Sequence, residues 1–336
     1  MNEIHLIITD LFLPKDFAAD VCADLSVPAL EKMLARGQGD TLAAAPLENL
    51  LCEMFGVPCR NEAPIGPVAA AFDGLGDGCW LRADPVHLRL QREQLVLLPN
   101  LQISADEAEQ WCACLNEYFV GQGMAFCAPH PQRWYVRIDK LPDIATVPLS
   151  QAAGRNVHGL LPTGADATRW HQVFNEIQML LFSHALNEAR EARGELPVNS
   201  VWLWGGGSGA AVAPIRHAYD SASSDEVLVE MFAAAAGVPF AAWESQWRTG
   251  EGRQLLVWTG LRAALQRGDL TAWRDALRDF ESGYAQPIWQ ALRAGKIARL
   301  RIDVLGGDGI RQILLTRRNA WAFWRRTRRL AKYSLT

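Results

Sequence analysis

The stretch Asn187–Gly207 reads Asn-Glu-Ala-Arg-Glu-Ala-Arg-Gly-Glu-Leu-Pro-Val-Asn-Ser-Val-Trp-Leu-Trp-Gly-Gly-Gly. Its first part predicts the end of a long helix that begins after Asp166 and stops at Gly194, a residue type that commonly terminates helices. Val198–Trp204 has the apolar and aromatic composition of a strand, and it runs into a glycine-rich turn that starts at Gly205. A helix followed by a strand in this way favours an α/β layered fold.

Regular elements are predicted on both sides of this stretch. Residues 4–9 form an apolar run that ends at Asp10, as in a buried parallel strand. Ser104-Ala-Asp-Glu107 is a capping box, and it predicts the start of a helix. Arg299–Leu305 and Ile310–Leu315 flank Gly-Gly-Asp-Gly, which predicts a hairpin.

The chain changes character between residues 76 and 194. There, strands at Cys79–Leu90 and Arg133–Asp139 and the elements between them predict a strand, strand, helix, strand order, in place of alternating strands and helices. We therefore expect residues 1–75 to be the first part of a core, 76–194 an inserted α+β cap, and 195–336 the second part of the core with a basic C-terminal helix.

The composition restricts the class of protein. The chain has 336 residues, of which 49% are hydrophobic, and its formal net charge is −4. This is ample material for a core, and the acidic balance argues against a nucleic-acid binder. No apolar run approaches the roughly 18 residues of a membrane span, and the N-terminus is typical of a strand and not of a signal peptide. Seven scattered cysteines without a CxxC pair predict reduced thiols. We expect a cytoplasmic protein.

The quoted stretch resembles the Asn-x-x-Arg…Gly-x-x-Pro-x-Asn-x-x-Trp-Leu-Trp-Gly pattern of archaeal-type cofactor-independent phosphoglycerate mutases, members of the alkaline-phosphatase superfamily. Leu161-Pro-Thr-Gly164 is similar to the Leu-Pro-x-Gly before that family's long helix, and Arg82 stands where the family has an arginine in its first cap strand. Arg82–Leu88 and Asn175–Met179 resemble a bacterial side branch of RpfE-type regulatory proteins. The resemblance implies an alkaline-phosphatase-like α/β core with an inserted α+β cap.

The resemblance also implies a catalytic set, and the sequence departs from it. Members of the superfamily hold two divalent metals, and a Ser or Thr attacks the phosphoryl group; the metals neutralise charge and activate the nucleophile. Asp10 matches the first metal-binding Asp, but Leu11 replaces the glycine that usually follows. Ala45-Pro46 stands where the nucleophile is expected, and Thr41 and Ser26 are poor matches in register.

Further metal ligands are also missing from the sequence. The family takes an Asp-His dipeptide from its C-terminal half, but this chain has no Asp-His, and His217 is its only histidine after His184. We therefore expect no catalytic residue, no metal and no cofactor, and we interpret Asp10 as a vestigial metal position.

Several polar side chains remain candidates for binding a small phosphorylated acid. On one strand, Arg82 and Asp84 share a face and His87 points the other way, which suits either an anion site or a structural ion pair. His184, Asn187 and Arg190 are spaced by three along the predicted long helix, and the glycine-rich turn begins at Gly205. Both features suit either contacts with a ligand or a structural role in capping and packing. The candidates are Arg82, Asp84, His87, Arg133, His184, Asn187, Arg190 and Gly205.

The C-terminal segment Arg317–Lys332 has seven basic residues and no acidic one, with aromatic residues at Trp321, Phe323 and Trp324. This composition suits single-stranded nucleic acid or an anionic membrane surface. It also suits a terminal helix whose tryptophans pack on the core while its arginines reach solvent. We expect the tryptophans to be mostly buried and nucleic acid not to be a partner.

These observations favour a phosphoglycerate-mutase-like protein that has lost its metal site and nucleophile. Such a protein would act as a non-catalytic binding or regulatory protein with a protein partner. One alternative is a metal-dependent phosphomutase or phosphatase acting on a small phosphorylated acid. A second is a nucleic-acid or protein adaptor that acts through the basic C-terminus.

Overall fold

The computed structural model describes residues 2–209 and 215–333. The chain divides into two compact units: Met1–Leu47 with His217–Thr336 form the first, and Glu48–Arg216 form the second. The second unit is thus an insertion in the sequence of the first.

Among the described residues, the strands are β1 (Glu3–Thr9), β2 (Gln38–Leu42), β3 (Cys79–Gln91), β4 (Gln94–Leu98), β5 (Met124–His130), β6 (Arg133–Ile138), β7 (Ser200–Ser208), β8 (Ser221–Ser224), β9 (Phe240–Ala242), β10 (Arg253–Trp258), β11 (Arg299–Gly306) and β12 (Gly309–Thr316). The α-helices are α1 (Lys15–Val21), α2 (Pro28–Arg36), α3 (Leu47–Phe55), α4 (Ile65–Phe72), α5 (Ala105–Tyr118), α6 (Leu149–Ala152), α7 (Ala167–Phe182), α8 (Ala185–Ala192), α9 (Val227–Ala235), α10 (Arg262–Gln266), α11 (Leu270–Phe280), α12 (Gln286–Ala294) and α13 (Arg317–Ala320). A π-helical turn, Glu281–Ala285, joins α11 to α12.

A seven-stranded sheet in the order β2-β12-β11-β1-β10-β8-β9 organises the first unit. Strands β11, β1, β10, β8 and β9 are parallel, and β12 is antiparallel to both of its neighbours. The central strand β1 is buried from Ile4 to Thr9, which explains its continuous apolar run. The predicted first strand and the predicted hairpin are both confirmed.

The C-terminal segment differs from the expected basic helix. Only Arg317–Ala320 is α-helical, and a short 3-10 turn follows at Leu330–Tyr333. The small side chains of Ala320 and Ala322 are buried, whereas Trp321 is 52% and Trp324 is 69% exposed. The expected burial of these tryptophans is therefore wrong. The segment runs close to α2 and α12, so the space beneath it accepts methyl groups and not indole rings.

An antiparallel five-stranded sheet organises the second unit. Its path is β4-β3-β6-β5, and β7 also pairs with β3. The long strand β3 makes this possible, because its first half pairs with β6 and β7 and its second half with β4. Helices α5 and α7 pack on this sheet over a core that contains Trp111 and Trp134. The capping box of α5 is present, with Ser104 and Glu107 exchanging hydrogen bonds.

The bounds of the units differ from the expected ones. As expected, β3 and β6 are excluded from the seven-stranded sheet. However, β7 pairs with β3 over residues 79–86 and 200–208, so residues 195–216 belong to the second unit and not to the core. Residues 48–75, which carry α3 and α4, also belong to the second unit, because α4 packs on β3 and β7.

No helix within residues 2–209 and 215–333 is long and apolar enough to cross a membrane.

Candidate functional site

The carboxyl ends of the parallel strands in the first unit form an edge where α/β proteins commonly bind ligands. Asp10 follows β1 at this edge and adopts a left-handed backbone conformation, with φ of 59°. Few residues other than glycine adopt this conformation, and strain of this kind often marks functional positions. The carbonyl oxygen of Asp10 accepts a hydrogen bond from the indole of Trp273 at 3.2 Å, which holds the turn.

A guanidinium group lies beside Asp10 at this edge. Nε of Arg262, at the start of α10, is 3.3 Å from Oδ2 of Asp10, and its Nη1 is 3.8 Å from Oε2 of Glu226. Asp225 precedes Glu226 and accepts a hydrogen bond from the backbone N–H of Thr259 at 2.8 Å. Burial raises the pKa of Asp225 above its usual range. Arg262 therefore bridges two carboxylates at the edge where the resemblance implies a metal.

A two-metal centre at this edge would have to be built from the side chains that the structure describes there. Such a centre needs several oxygen or nitrogen ligands that converge on each ion. Within the described residues, no group of three or more His, Cys, Asp or Glu side chains is arranged to hold a metal ion. Ala45 and Pro46 lie in the connection between β2 and α3 and carry no hydroxyl, and Thr41 is part of the edge strand β2, paired with Arg311.

Arg82 and Asp84 form a buried ion pair in the second unit, on the same face of β3, as predicted. Arg82 is 7% and Asp84 2% exposed, and the indole of Trp204 also donates to Asp84 at 2.7 Å. The guanidinium lies over the rings of Tyr135 and Trp204. Burial alone would lower the pKa of Arg82, but the neighbouring Asp84 outweighs it and raises that pKa.

Arg133 makes a second arginine–carboxylate pair, with a residue that the sequence did not single out. Its Nε and Nη2 atoms donate to the two carboxylate oxygens of Asp73 at 3.0 and 2.7 Å. The hydroxyl of Tyr135 donates to the same carboxylate at 2.5 Å. Burial would raise the pKa of Asp73, but the hydrogen bonds from Arg133 and Tyr135 outweigh it and lower that pKa.

The predicted long helix is interrupted, which changes the roles of its polar residues. Helix α7 ends at Phe182, and His184 caps the separate helix α8, accepting from the backbone N–H of Leu186 at 3.3 Å. Asn187 is buried and satisfies backbone groups of Leu181 and Val198. His184, Asn187 and Arg190 therefore do not line one side of a continuous helix, because His184 lies between α7 and α8.

Arg190 and His87 also have protein partners. Arg190 is 1% exposed; it donates to the carbonyl of Leu196 at 2.9 Å and to the carboxylate of Glu107 at 3.1 Å. A ring nitrogen of His87 is 2.9 Å from the carbonyl oxygen of Pro197. Burial lowers the pKa of His87 and so favours the neutral ring. These side chains tie the segment before β7 to the rest of the second unit.

Gly205 lies within β7 and not in a turn after it, which corrects the expected glycine-rich loop. It has a φ of +68°, and its N–H donates to the hydroxyl of Thr146 at 3.0 Å. The next N–H, of Gly206, donates to Glu62 at 2.6 Å. Burial raises the pKa of Glu62, which borders a cavity of ≈ 540 Å³. The glycine backbone thus binds an anion, but that anion is the protein's own carboxylate.

Several residues of these clusters were missed by the sequence reasoning. Asp73, Glu62 and Arg262 each lie far along the chain from the group that they bind, so no local spacing reveals them. The one available signal was Tyr135, which is two residues from Arg133 and therefore on the same face of β6. Long-range pairing in the folded chain supplies the others.

The chain is similar in sequence to phosphoglycerate mutases, at low identity. A probable 2,3-bisphosphoglycerate-independent phosphoglycerate mutase of Geobacter sulfurreducens is 30% identical over 76 residues, which are 23% of this chain and 19% of that protein. The 2,3-bisphosphoglycerate-independent phosphoglycerate mutase 2 of Methanothermobacter thermautotrophicus is 26% identical over 164 residues, 48% of this chain and 41% of that protein. The matched stretches therefore span less than half of these relatives. No model of a protein family matches the chain.

The fold is shared with a solved structure, the PH0037 protein from Pyrococcus horikoshii. The two chains have a TM-score of 0.55 at 13% identity, and the match covers 94% of this chain and 87% of the other. The alkaline-phosphatase-like α/β fold class expected from the sequence is confirmed. Part of the chain is thus similar in sequence to phosphoglycerate mutases, and the chain is an α/β protein of this class in fold.

Proposed function

We propose that this chain is a non-catalytic relative of the phosphoglycerate mutases that acts as a binding or regulatory protein. The observation that carries the proposal is the position of Arg262, which bridges Asp10 and Glu226 at the carboxyl edge of the parallel sheet. A guanidinium there supplies the positive charge that the carboxylates need. It cannot coordinate a phosphoryl oxygen or a hydroxide as a Lewis acid, which a metal ion does.

The second unit supports the proposal in the same way. Three of its groups that could receive a phosphate or carboxylate already have an internal anion: Asp84 for Arg82, Asp73 for Arg133, and Glu62 for the glycine backbone. A ligand would have to displace one of these carboxylates.

Arg133 is the side chain best placed to hold a small phosphorylated acid. Its side chain is 18% exposed, against 8% for Arg82 and 1% for Arg190. Its planar fork suits a phosphate or a carboxylate equally well. The ligand therefore competes with Asp73, and its capture by Arg133 would leave that carboxylate with only the hydroxyl of Tyr135 of these two donors, a change that a regulatory protein partner could detect.

Turnover and metal content test the proposal. We expect the purified protein not to interconvert 2- and 3-phosphoglycerate with added Mn²⁺, Mg²⁺ or Zn²⁺, and not to retain a stoichiometric metal after dialysis. Tight metal binding together with turnover that is lost in Asp10→Ala would contradict the proposal and identify the chain as a metal-dependent phosphomutase.

Replacement of the guanidinium gives a second, independent test. In Arg262→Ala, Asp10 and Glu226 lose their shared counter-ion, so we expect millimolar Mg²⁺ to raise the Tm of this variant more than that of the parent protein. Arg278→Ala, which breaks an exposed pair with Asp275, is the matched control and should show no added effect of Mg²⁺. Equal responses of the two variants would show that Arg262 does not take the place of a cation.

Binding of phosphoglycerate tests the ligand. We expect 3-phosphoglycerate to raise the Tm of the parent protein, less so that of Arg133→Ala, and to act undiminished on Arg89→Ala, an exposed arginine of β3. A shift that survives Arg133→Ala would assign the ligand to another site.

A further inference from the structure

Three large aromatic side chains near the C-terminus project into solvent. Trp321, Phe323 and Trp324 are 52%, 79% and 69% exposed. We call these three residues, with the exposed arginines Arg326 and Arg328, the aromatic–arginine face. Folded proteins rarely leave clustered apolar side chains in water without a binding role.

The C-terminal segment that carries these three aromatic side chains is anchored to the first unit. Leu330 is 4% exposed, and its backbone N–H donates to Glu31 at 2.9 Å. Nη1 of Arg325 donates to the carbonyl oxygens of Arg36 and Gly37 at 3.0 and 2.8 Å. The fold of the first unit therefore holds the segment in place with its aromatic rings outward.

The charge of the segment restricts what can cover these rings. Between Arg317 and Lys332 there are seven basic residues and no acidic one, in a chain whose formal net charge is −4. The basic residues of this segment are all exposed. The partner that fits must be anionic and must also accept apolar rings.

We propose that the aromatic–arginine face binds the surface of an anionic lipid bilayer. Indole and phenyl groups partition into the region between headgroups and acyl chains, and arginines next to them pair with lipid phosphates. Single-stranded nucleic acid fits less well, because base stacking needs free ring faces. The guanidinium carbon of Arg293 lies 4.5 Å from the centre of the Trp321 ring and covers one face of it. The rings of Phe323 and Trp324 pack edge-on, with their centres 5.4 Å apart.

Sedimentation with vesicles tests the proposal on the full chain. We expect binding to vesicles of equal phosphatidylglycerol and phosphatidylcholine, weakening as salt is added, and no binding to phosphatidylcholine alone. The variant Trp321→Ala, Phe323→Ala, Trp324→Ala should bind at least about tenfold more weakly, because it loses most of the apolar area. Phe182→Ala, which removes an aromatic ring 79% exposed in α7, should bind as the parent does.

A second pair of variants keeps the test independent of the tryptophans. Arg326→Ala with Arg328→Ala should weaken binding by about fivefold per arginine removed, and Arg248→Ala with Arg278→Ala, on other exposed surface, should not. Equal binding to neutral vesicles, or loss of binding with both pairs alike, would overturn the proposal. Binding of a dT20 oligonucleotide, or self-association, that requires the three aromatic residues while vesicles are not bound would also overturn it.

Discussion

At the scale of single residues, this protein pairs several of its buried or half-buried charges with charges of its own. Arg82 binds Asp84, Arg133 binds Asp73 and Arg190 binds Glu107. Burying such a pair costs desolvation free energy. Removing one partner is strongly destabilising, because it leaves the other charge buried without a counter-ion. The sequence left two roles open for Arg82 and Asp84, a structural ion pair or a ligand site. The structural role has a measurable consequence for stability.

We expect Arg82→Ala to lower the free energy of unfolding by about 3 kcal/mol, because Asp84 is then buried without its counter-ion. The double variant Arg82→Met, Asp84→Leu should recover part of this loss, since no unpaired charge remains, although the indole of Trp204 loses its acceptor. Urea denaturation measures both, with the exposed Arg89→Ala as a control that changes stability by less than about 0.5 kcal/mol. Unchanged stability in Arg82→Ala, with loss of phosphoglycerate binding, would instead assign Arg82 to a ligand site.

At the scale of elements, the helix around Pro287 shows how a local irregularity serves long-range packing. Helices α11 and α12 are joined without a loop by the π-helical turn Glu281–Ala285. Glu281 in that turn is 3% exposed and accepts from the backbone N–H groups of Ala29 and Leu30 at 2.7 and 3.1 Å. It therefore caps the N-terminus of α2, which has no side-chain cap of its own.

We expect Glu281→Ala to lower the free energy of unfolding by about 2 kcal/mol, because two buried N–H donors lose a charged acceptor. Hydrogen exchange of the amides of Ala29 and Leu30 should accelerate more than that of amides in α9. Glu244→Ala, which breaks an exposed ion pair with Arg248, is the control and should have little effect. Uniform acceleration across the first unit would contradict a local capping role.

At the scale of the whole molecule, residues from distant parts of the chain form a polar network centred on the neighbouring strands β1 and β11 of the seven-stranded sheet. The ring nitrogens of His5 lie 2.8 Å from the Tyr219 hydroxyl and 2.7 Å from Asp303, and Arg301 also binds Asp303. Burial lowers the pKa of His5 below its usual value, and the attraction of Asp303 offsets this only in part. Burial therefore favours the neutral form of the histidine in the folded protein, and the nearby positive charge of Arg301 acts in the same direction.

This network predicts a loss of stability on mild acidification. The unfolded chain protonates His5 near pH 6.5 and the folded protein only at lower pH, so the free energy of unfolding falls as the pH drops below 6.5. We expect His5 to contribute to this loss between pH 7.5 and 5.5. Urea denaturation at the two pH values should show a smaller loss in His5→Gln than in His217→Gln, whose histidine is exposed. Identical losses would exclude His5 as the group responsible.

The sequence by itself determined the elements whose signals are local. Continuous apolar runs, caps and a glycine-rich hairpin correctly predicted β1, α5 and the β11–β12 pair, because each depends on residues that are neighbours in the chain. Only the tertiary structure decided that β7 pairs with β3 and that Trp321 faces solvent. It also decided that two predicted anion-binding groups bind carboxylates of the protein itself, Arg133 that of Asp73 and the glycine backbone that of Glu62. These outcomes depend on contacts between residues far apart in sequence and on the space left between packed elements, and no local pattern encodes either of them.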